Sequence, residues 1–464
     1  MTLDAQGRLA REIGWRTAAT VVVANMVGAG IFTTSGFMAR DLGSPWWILA
    51  LWAVGGLVAF AGSLAYAELG AAMPEAGGEY VYLREAYGPL VAYLSGWTSF
   101  SVGFSGALAA ALLGFAGYLG RVVPACGAPA PKVVAIATLW ALTAAHVGGV
   151  SPGGKLHSTL TAATFGAIVA FIAAGFTAGH GLAANFLSSG PAQGNAAVSL
   201  IFVLYAYSGW NAAVYLAGEI REPERGIPIA LLGGTALVTA LYLGLNALYL
   251  YALPIPELAG VLEIGEKAAL ALFGSTAATF IGVIITLALL SSASAMVLAG
   301  PRVYYAMARD RLFPGTFATV NTRLGTPVRA IVLQSAWTSV LIVFFGAFEP
   351  VVVYTGFAVT VFAAIAVAAV VVLRVRRPQL ERPFMMPGYP WLPVAYVAVS
   401  AWIVGYAVAS RRTETILGLV TVGAGVPLYH FTRGRSPGNG GAGPKSNYAD
   451  VFLQHLSCLG CGTR

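Results

Sequence analysis

Twelve apolar runs, each long enough to cross a bilayer, leave this chain very few ways to fold. They lie at about 14–40, 46–73, 90–121, 133–148, 158–182, 196–220, 227–252, 276–308, 329–348, 350–373, 391–410 and 414–431. About 20 apolar residues in a helix span roughly 30 Å of hydrocarbon. Peptide groups inside lipid must find partners within their own segment, so runs of this length have to be helices. The expected fold class is therefore all-α: a polytopic membrane protein with 12 transmembrane helices. Charge agrees with this, since only 9% of the 464 residues are charged, against about 25% in a soluble domain.

Basic residues orient the spans. With the N-terminus inside, 20 of the 26 Lys and Arg residues fall on the cytoplasmic side, leaving Arg40, Arg121, Lys132, Lys267, Arg411 and Arg412 outside. That asymmetry follows the positive-inside rule and places residues 1–13 and 432–464 in the cytoplasm. The net charge of +8 thus reports topology. The charges alternate between loops and form no stripe, so no nucleic-acid partner is expected. The first apolar run is too long for a cleavable signal and has no small-residue cleavage site. Cys126, Cys458 and Cys461 are too few for a disulfide framework. The last two follow the Gly-rich stretch 438–444 and read as part of a flexible tail.

Charges are missing where catalysis or a proton relay would need them. Of the 18 carboxylates, setting aside Glu414 at the first position of the last run, only Glu68 and Glu219 fall inside predicted spans, both near the cytoplasmic end. No ionisable group is expected at mid-depth, where one costs about 2.5–3.5 kcal/mol. The five histidines do not cluster, and no HExxH or G-x-S-x-G pattern is present. No enzymatic site, metal or cofactor is expected.

A charged solute in such a core has to be held by the backbone. Span one contains Val27, Gly28, Ala29, Gly30 and Ile31, a small-residue interruption in which two glycines permit unusual backbone angles. A helix broken there exposes N–H groups at one stump and carbonyls at the other. Here Thr33, Thr34 and Ser35 are placed to cap the second half. An α-amino acid zwitterion carries the matching pair of charges. Close helix packing is the competing use of Gly28 and Gly30. Span six is interrupted in the same way at Tyr207, Ser208, Gly209, Trp210 and Asn211. Paired interruptions five spans apart point to a transporter binding site between two inverted halves.

The stretches VGAGIF (27–32), YAELGAAMPEAGGEYVYLREAYGP (66–89), YSGWN (207–211), GEIREPERGIP (218–228) and AGPRVYYAMARDRLF (299–313) resemble the amino acid–polyamine–organocation (APC) superfamily, close to bacterial L-type (LAT-like) permeases. The resemblance implies a LeuT-like 5+5 inverted repeat with discontinuous helices one and six. The repeats would occupy 14–182 and 196–373, with two further helices at 391–431. It also implies that Val27–Ile31 take the substrate carboxylate and that carbonyls of Tyr207, Ser208 and Gly209 hold the amino group. Trp210 and Asn211 would follow at the gate. PEAGGEY resembles an inner-gate segment, and Glu68 either pairs with an arginine or snorkels at the membrane edge.

One departure stands out. The family's helix-five lysine is missing, and Gly166, Ala167 or Ile168 fall near its place. Sodium ligated by helix-one carbonyls and Ser291, Ser292 or Ser294 is one substitute; proton coupling and sodium-independent exchange are the others. The expectation is a plasma-membrane secondary transporter of amino acids with an uncharged pocket, favouring neutral side chains. A membrane sensor that binds without transport is the alternative. The residues leave the particular amino acid, an accessory subunit and the oligomeric state undefined.

Overall fold

The computed structural model describes residues 11, 13–75, 77–123, 131–147, 153–319 and 327–434. Cys126, Cys458, Cys461 and the tail from 435 onward lie outside the described residues. Among the described residues every regular element is helical, apart from one isolated backbone bridge between Ile13 and Ile220. Nine described segments are long and apolar enough to cross a membrane, counting each interrupted helix with its continuation. Pro131–Val147 and Ala162–Ala178 are shorter apolar helices, and the twelfth run is helical over Arg412–Gly434. Each of the twelve apolar runs is thus helical in whole or part.

The helices are apolar on all sides because their outward faces meet lipid rather than water. In α3 (Pro45–Ala72), Trp52 is fully buried while Leu57 is 70% exposed. Both are apolar, so neither a polar face nor a water-facing stripe marks the outside.

Four irregularities shape the centre of the bundle. Span one is split into α1 (Trp15–Met26) and α2 (Ala29–Leu42). Span two is followed by α4 (Glu79–Tyr87), which starts after Gly77 and Gly78, both at positive φ. Those glycines turn the chain sharply back, and six of the nine α4 residues become buried. Span three runs from α5 (Pro89–Thr98) through one expanded turn of π-helix (Ser99–Phe104) into α6 (Ser105–Val122). After α7 (Pro131–Val147) and α8 (Gly153–Ala178), span six is α9 (Ala196–Tyr207), a turn, and a 3₁₀ segment at Ala212–Glu219. Eight residues of 3₁₀ geometry are unusual, since runs beyond about four residues are uncommon and mark strained or hinged chain. Behind both interrupted spans stands α10 (Pro223–Ala252), packed along α1 and α3.

Candidate functional site

The interruption in span one is narrower than the five residues VGAGI. Only Val27 and Gly28 lie between the half-helices, and Ala29, Gly30 and Ile31 form the first turn of α2. Both are non-helical, Val27 at φ −73° and ψ 86° and Gly28 at φ −136° and ψ −155°. The expectation that Thr33 and Thr34 cap the second half is corrected. Their hydroxyls donate back along the helix to the carbonyls of Ala29 and Gly30, at 2.5 and 2.7 Å. The cap position belongs to Gly28, so the first N–H groups of α2 receive no side-chain cap. Ser35 is bonded instead to Asn246 of α10.

In span six the interruption covers Ser208–Asn211, with Gly209 at φ +99°. A Cβ on Gly209 would lie 2.7 Å from the carbonyl oxygen of Asn25, so the second break sits directly on the end of the first helix. A Cβ on Gly30 would meet the Ala206 Cβ at 2.5 Å and its Cα more closely still. Gly28 faces Ser292 in the same way, at 2.9 Å from Oγ. Close packing and helix interruption are therefore not rival uses of these glycines. The bare backbone of each broken helix is pressed against the other.

Aromatic hydroxyls fix the stumps. Tyr242 of α10 donates to the carbonyl of Met26, the last residue of α1, and lies 3.1 Å from the carbonyl of Ala206. One phenolic proton is thus placed between the ends of both broken helices. Tyr207 donates to the carbonyl of Trp52 at 3.1 Å, and Ser208 to that of Tyr205 at 2.6 Å. Trp210 stacks edge-on against Tyr66, with ring centres 4.7 Å apart, and the Asn211 amide reaches Tyr215 at 3.3 Å.

A cavity of about 390 Å³ lies beside these breaks. Ser208, Gly209, Trp210 and Asn211 line it; from the neighbourhood of the first break only Asn25 does. Val27 to Ile31 and Tyr207 are not among its walls, because Gly30 and Gly28 are covered by Ala206 and Ser292. Spans one, three, six, eight and ten all contribute, and the π-turn of span three brings Ser99, Gly103 and Phe104. The three candidate serines of α13 (Ser275–Arg309), Ser291, Ser292 and Ser294, are divided. Ser292 is buried behind Gly28 and its hydroxyl has no hydrogen-bond partner among the described residues, whereas Ser294 lines the cavity 2.8 Å from His146 Nε2. Ser291 is not a wall. In α8, Ile168 is buried, while a Cβ on Gly166 would meet open space.

The expectation of an uncharged pocket is overturned, since Glu79, Glu219 and Arg302 all line the cavity. The reason lies in segments that read as loops. The turn at Gly77 and Gly78 carries α4 back into the bundle and with it Glu79, which is only 9% exposed. Its carboxyl accepts hydrogen bonds from Tyr66 at 2.7 Å and Ser95 at 3.3 Å. Burial raises its pKa above the ordinary carboxylate value, against the smaller opposing pull of those two hydroxyls. Glu219 and Arg302 face each other at 3.6 Å.

The two ends of the cavity differ. One reaches the surface at Thr17 and Ile13, where Ile13 exchanges backbone hydrogen bonds with Glu219 and Arg221, strapping the start of α1 to the segment after span six. At the opposite face Arg40 of α2 holds Glu349 at 3.0 Å and Asp41 at 3.1 Å. Glu349 opens α15 (Phe348–Arg376) and also accepts from Arg411 at 2.7 Å. This clasp ties α2 to α15, and none of its residues lines the cavity. Glu68 does not snorkel. It is 1% exposed and receives Arg374 at 2.6 and 2.8 Å together with the backbone N–H of Met386.

Sequence reasoning missed Glu79, His146, Arg302 and the π-turn. The glycine pair before Glu79 was the available signal for re-entry; SFSVGF carries none for an expanded turn.

The chain matches the family model described as amino acid permease over residues 13–417. It is 29% identical to the serine/threonine exchanger SteT of Bacillus subtilis, over 92% of this chain and 98% of that protein. It is 28% identical to the human Asc-type amino acid transporter 1, over 91% of this chain and 82% of that protein. The human cystine/glutamate transporter is 26% identical over 91% and 85%.

Proposed function

The chain belongs to the amino acid permease family, and from that premise we propose that it exchanges neutral amino acids across the plasma membrane by alternating access. It is a multi-pass membrane transporter and not an enzyme. The observation that carries the finer reading is the meeting of two interrupted helices, Gly209 on the Asn25 carbonyl, beside a cavity that reaches the surface at Ile13 and Thr17.

The uncapped N–H groups of α2 suit the substrate carboxylate, and the carbonyls around Tyr207–Gly209 suit its amino group. In the state seen here those groups lie under Ala206 and Ser292. Substrate binding would therefore part helices one and six slightly, bringing Val27–Ile31 into the site. A neutral side chain fits the remaining walls, because Arg302 is already matched to Glu219 and no cation is within bonding range of Glu79 among the described residues. Residues 14–182 and 196–373 would form the LeuT-like inverted repeats, and the face bearing Ile13 would be cytoplasmic. The similarity to a serine/threonine exchanger over nearly the whole chain supports exchange over net uptake.

Purified protein in proteoliposomes loaded with unlabelled amino acid tests the reading. Counterflow of labelled amino acids, run as a panel of the standard set with and without sodium, should show uptake of a neutral subset in sodium-free medium. Saturable binding with no flux under any gradient would make the protein a sensor and overturn the proposal.

A further inference from the structure

Glu79 is a buried acid that the exchange mechanism does not use. Its surroundings are hydroxyls and rings rather than cations. Tyr66 of α3 and Ser95 of α5 bond the two carboxyl oxygens. Among the described residues, Tyr82 from α4, Tyr215 from the 3₁₀ segment and Tyr396 from α16 (Trp391–Ser410) are the other titratable groups close enough to feel its charge. Arg84, on the same short helix, is engaged by Glu75, Glu85 and Asp310, and Arg302 by Glu219. Glu79 is nevertheless reachable, since it forms part of the wall of the open cavity. It is also coupled to the second break, because its partner Tyr66 packs against Trp210.

Resting on the proposed transport cycle, we propose that Glu79 is a proton-binding site, loaded through the cavity, whose protonation permits the inner side of the transporter to close. The physical argument is one of solvation. An ionised carboxylate with two hydroxyl partners still depends on cavity water for part of its hydration. Closing the helices around it removes that water, and an unpaired charge in a dry interior is expensive. A neutral carboxylic acid carries no such penalty, so the protonated form tolerates the closed state. The carboxylate holds the cavity open and wet. The sign follows directly. As pH on the cavity side falls through the elevated pKa of Glu79, the closing step accelerates. Above that pKa the protonated fraction, and with it the rate, falls about tenfold per pH unit.

Two measurements on the full chain test this. Infrared difference spectra of the reconstituted protein, titrated from about pH 5 to about pH 8, should show a carboxylic C=O band that disappears as pH rises and is absent in Glu79→Gln. Counterflow at the same internal pH values should slow with rising pH in the wild type and be flat in Glu79→Gln. Tyr66→Phe removes a hydroxyl that favours the ionised form, so its band and rate profile should move together toward higher pH. A Glu79→Gln protein that keeps the wild-type pH profile, or a wild-type band that persists in that variant, overturns the assignment. If Glu79→Gln does not fold, a Tyr66→Phe midpoint identical to wild type overturns it as well. If the band titrates as described but no amino acid exchanges, the proton site stands and the transport reading fails.

Discussion

Replacing Gly30 with alanine adds one methyl group at the closest approach of the two broken helices. The new Cβ would lie 2.5 Å from the Ala206 Cβ and nearer to its Cα. Ordinary contact begins at about 3.4 Å, so the helices must move apart by roughly 1 Å. Ala206 is backbone and methyl, with no rotamer to swing away, and it is held from behind by Tyr242 at its carbonyl. Overpacking of this kind costs about 1–3 kcal/mol. Because both stumps are displaced together, most of that strain falls on the geometry proposed to bind substrate. At about 1.4 kcal/mol per tenfold change, exchange should drop by roughly tenfold to a hundredfold. Thermal stability in detergent should fall with it. Gly405→Ala is the matched control, since a Cβ there meets nothing within 4 Å. It adds the same methyl group to a membrane helix and should change neither property. The assay is counterflow in proteoliposomes at equal reconstituted protein, with melting followed by size-exclusion after heating. Exchange by Gly30→Ala at the wild-type rate would refute the reasoning.

Other contacts give sharp expectations. Glu68→Gln leaves Arg374 and Arg382 at a buried site without their counter-charge. Removing one partner of such a pair costs about 3–5 kcal/mol, so the melting temperature in detergent should fall by more than for any single-methyl change in the core; an unchanged melting temperature would contradict the buried pairing. Glu349→Gln loosens the clasp that Arg40 and Arg411 make on α15. Loss of charge from those half-buried contacts is worth about 1–2 kcal/mol, which shifts the equilibrium toward opening at that face roughly tenfold. A cysteine placed at Val198, which lines the neighbouring cleft, should then react faster with a membrane-impermeant thiol reagent, in a background with Cys126, Cys458 and Cys461 replaced. Equal labelling rates would remove the clasp from the mechanism.

How far the sequence reaches depends on which contacts decide each feature. The apolar runs are local, and lipid imposes the helix on each, so all twelve were legible. Both interruptions were legible because small-residue clusters recur in corresponding places five spans apart. Their extent was not. Gly28 lies outside a helix and Gly30 inside one, although both are glycines between apolar neighbours. Ala206 and Ser292, far away in the chain, cover them and set where the helix resumes. The charge inventory failed for a related reason. Depth was assigned from position within apolar runs, which treats every residue between runs as surface. Glu79 is between runs in the sequence and inside the bundle in space, because a glycine pair reverses the chain ahead of it.

The same geometry bears on why such a carrier exchanges rather than leaks. Each stump presents peptide groups with no partner in their own helix. On the proposed reading, cavity water satisfies in the open state those that the cavity reaches, and the substrate's carboxylate and amino group do so in the loaded, closed state. In an empty, closed state nothing does, and each buried unsatisfied polar group costs about 1–3 kcal/mol. Two such groups at the lower figure disfavour closure of the empty carrier by about 2 kcal/mol. The unloaded protein should then cross between faces at least tenfold more slowly than the loaded one. Proteoliposomes preloaded with labelled substrate test this without any variant. Efflux into medium containing the unlabelled amino acid should exceed efflux into empty medium by tenfold or more. Equal rates would mean that the empty stumps find internal partners on closure, and the Tyr242 hydroxyl, already between the carbonyls of Met26 and Ala206, would be the first group to test as the one supplying them.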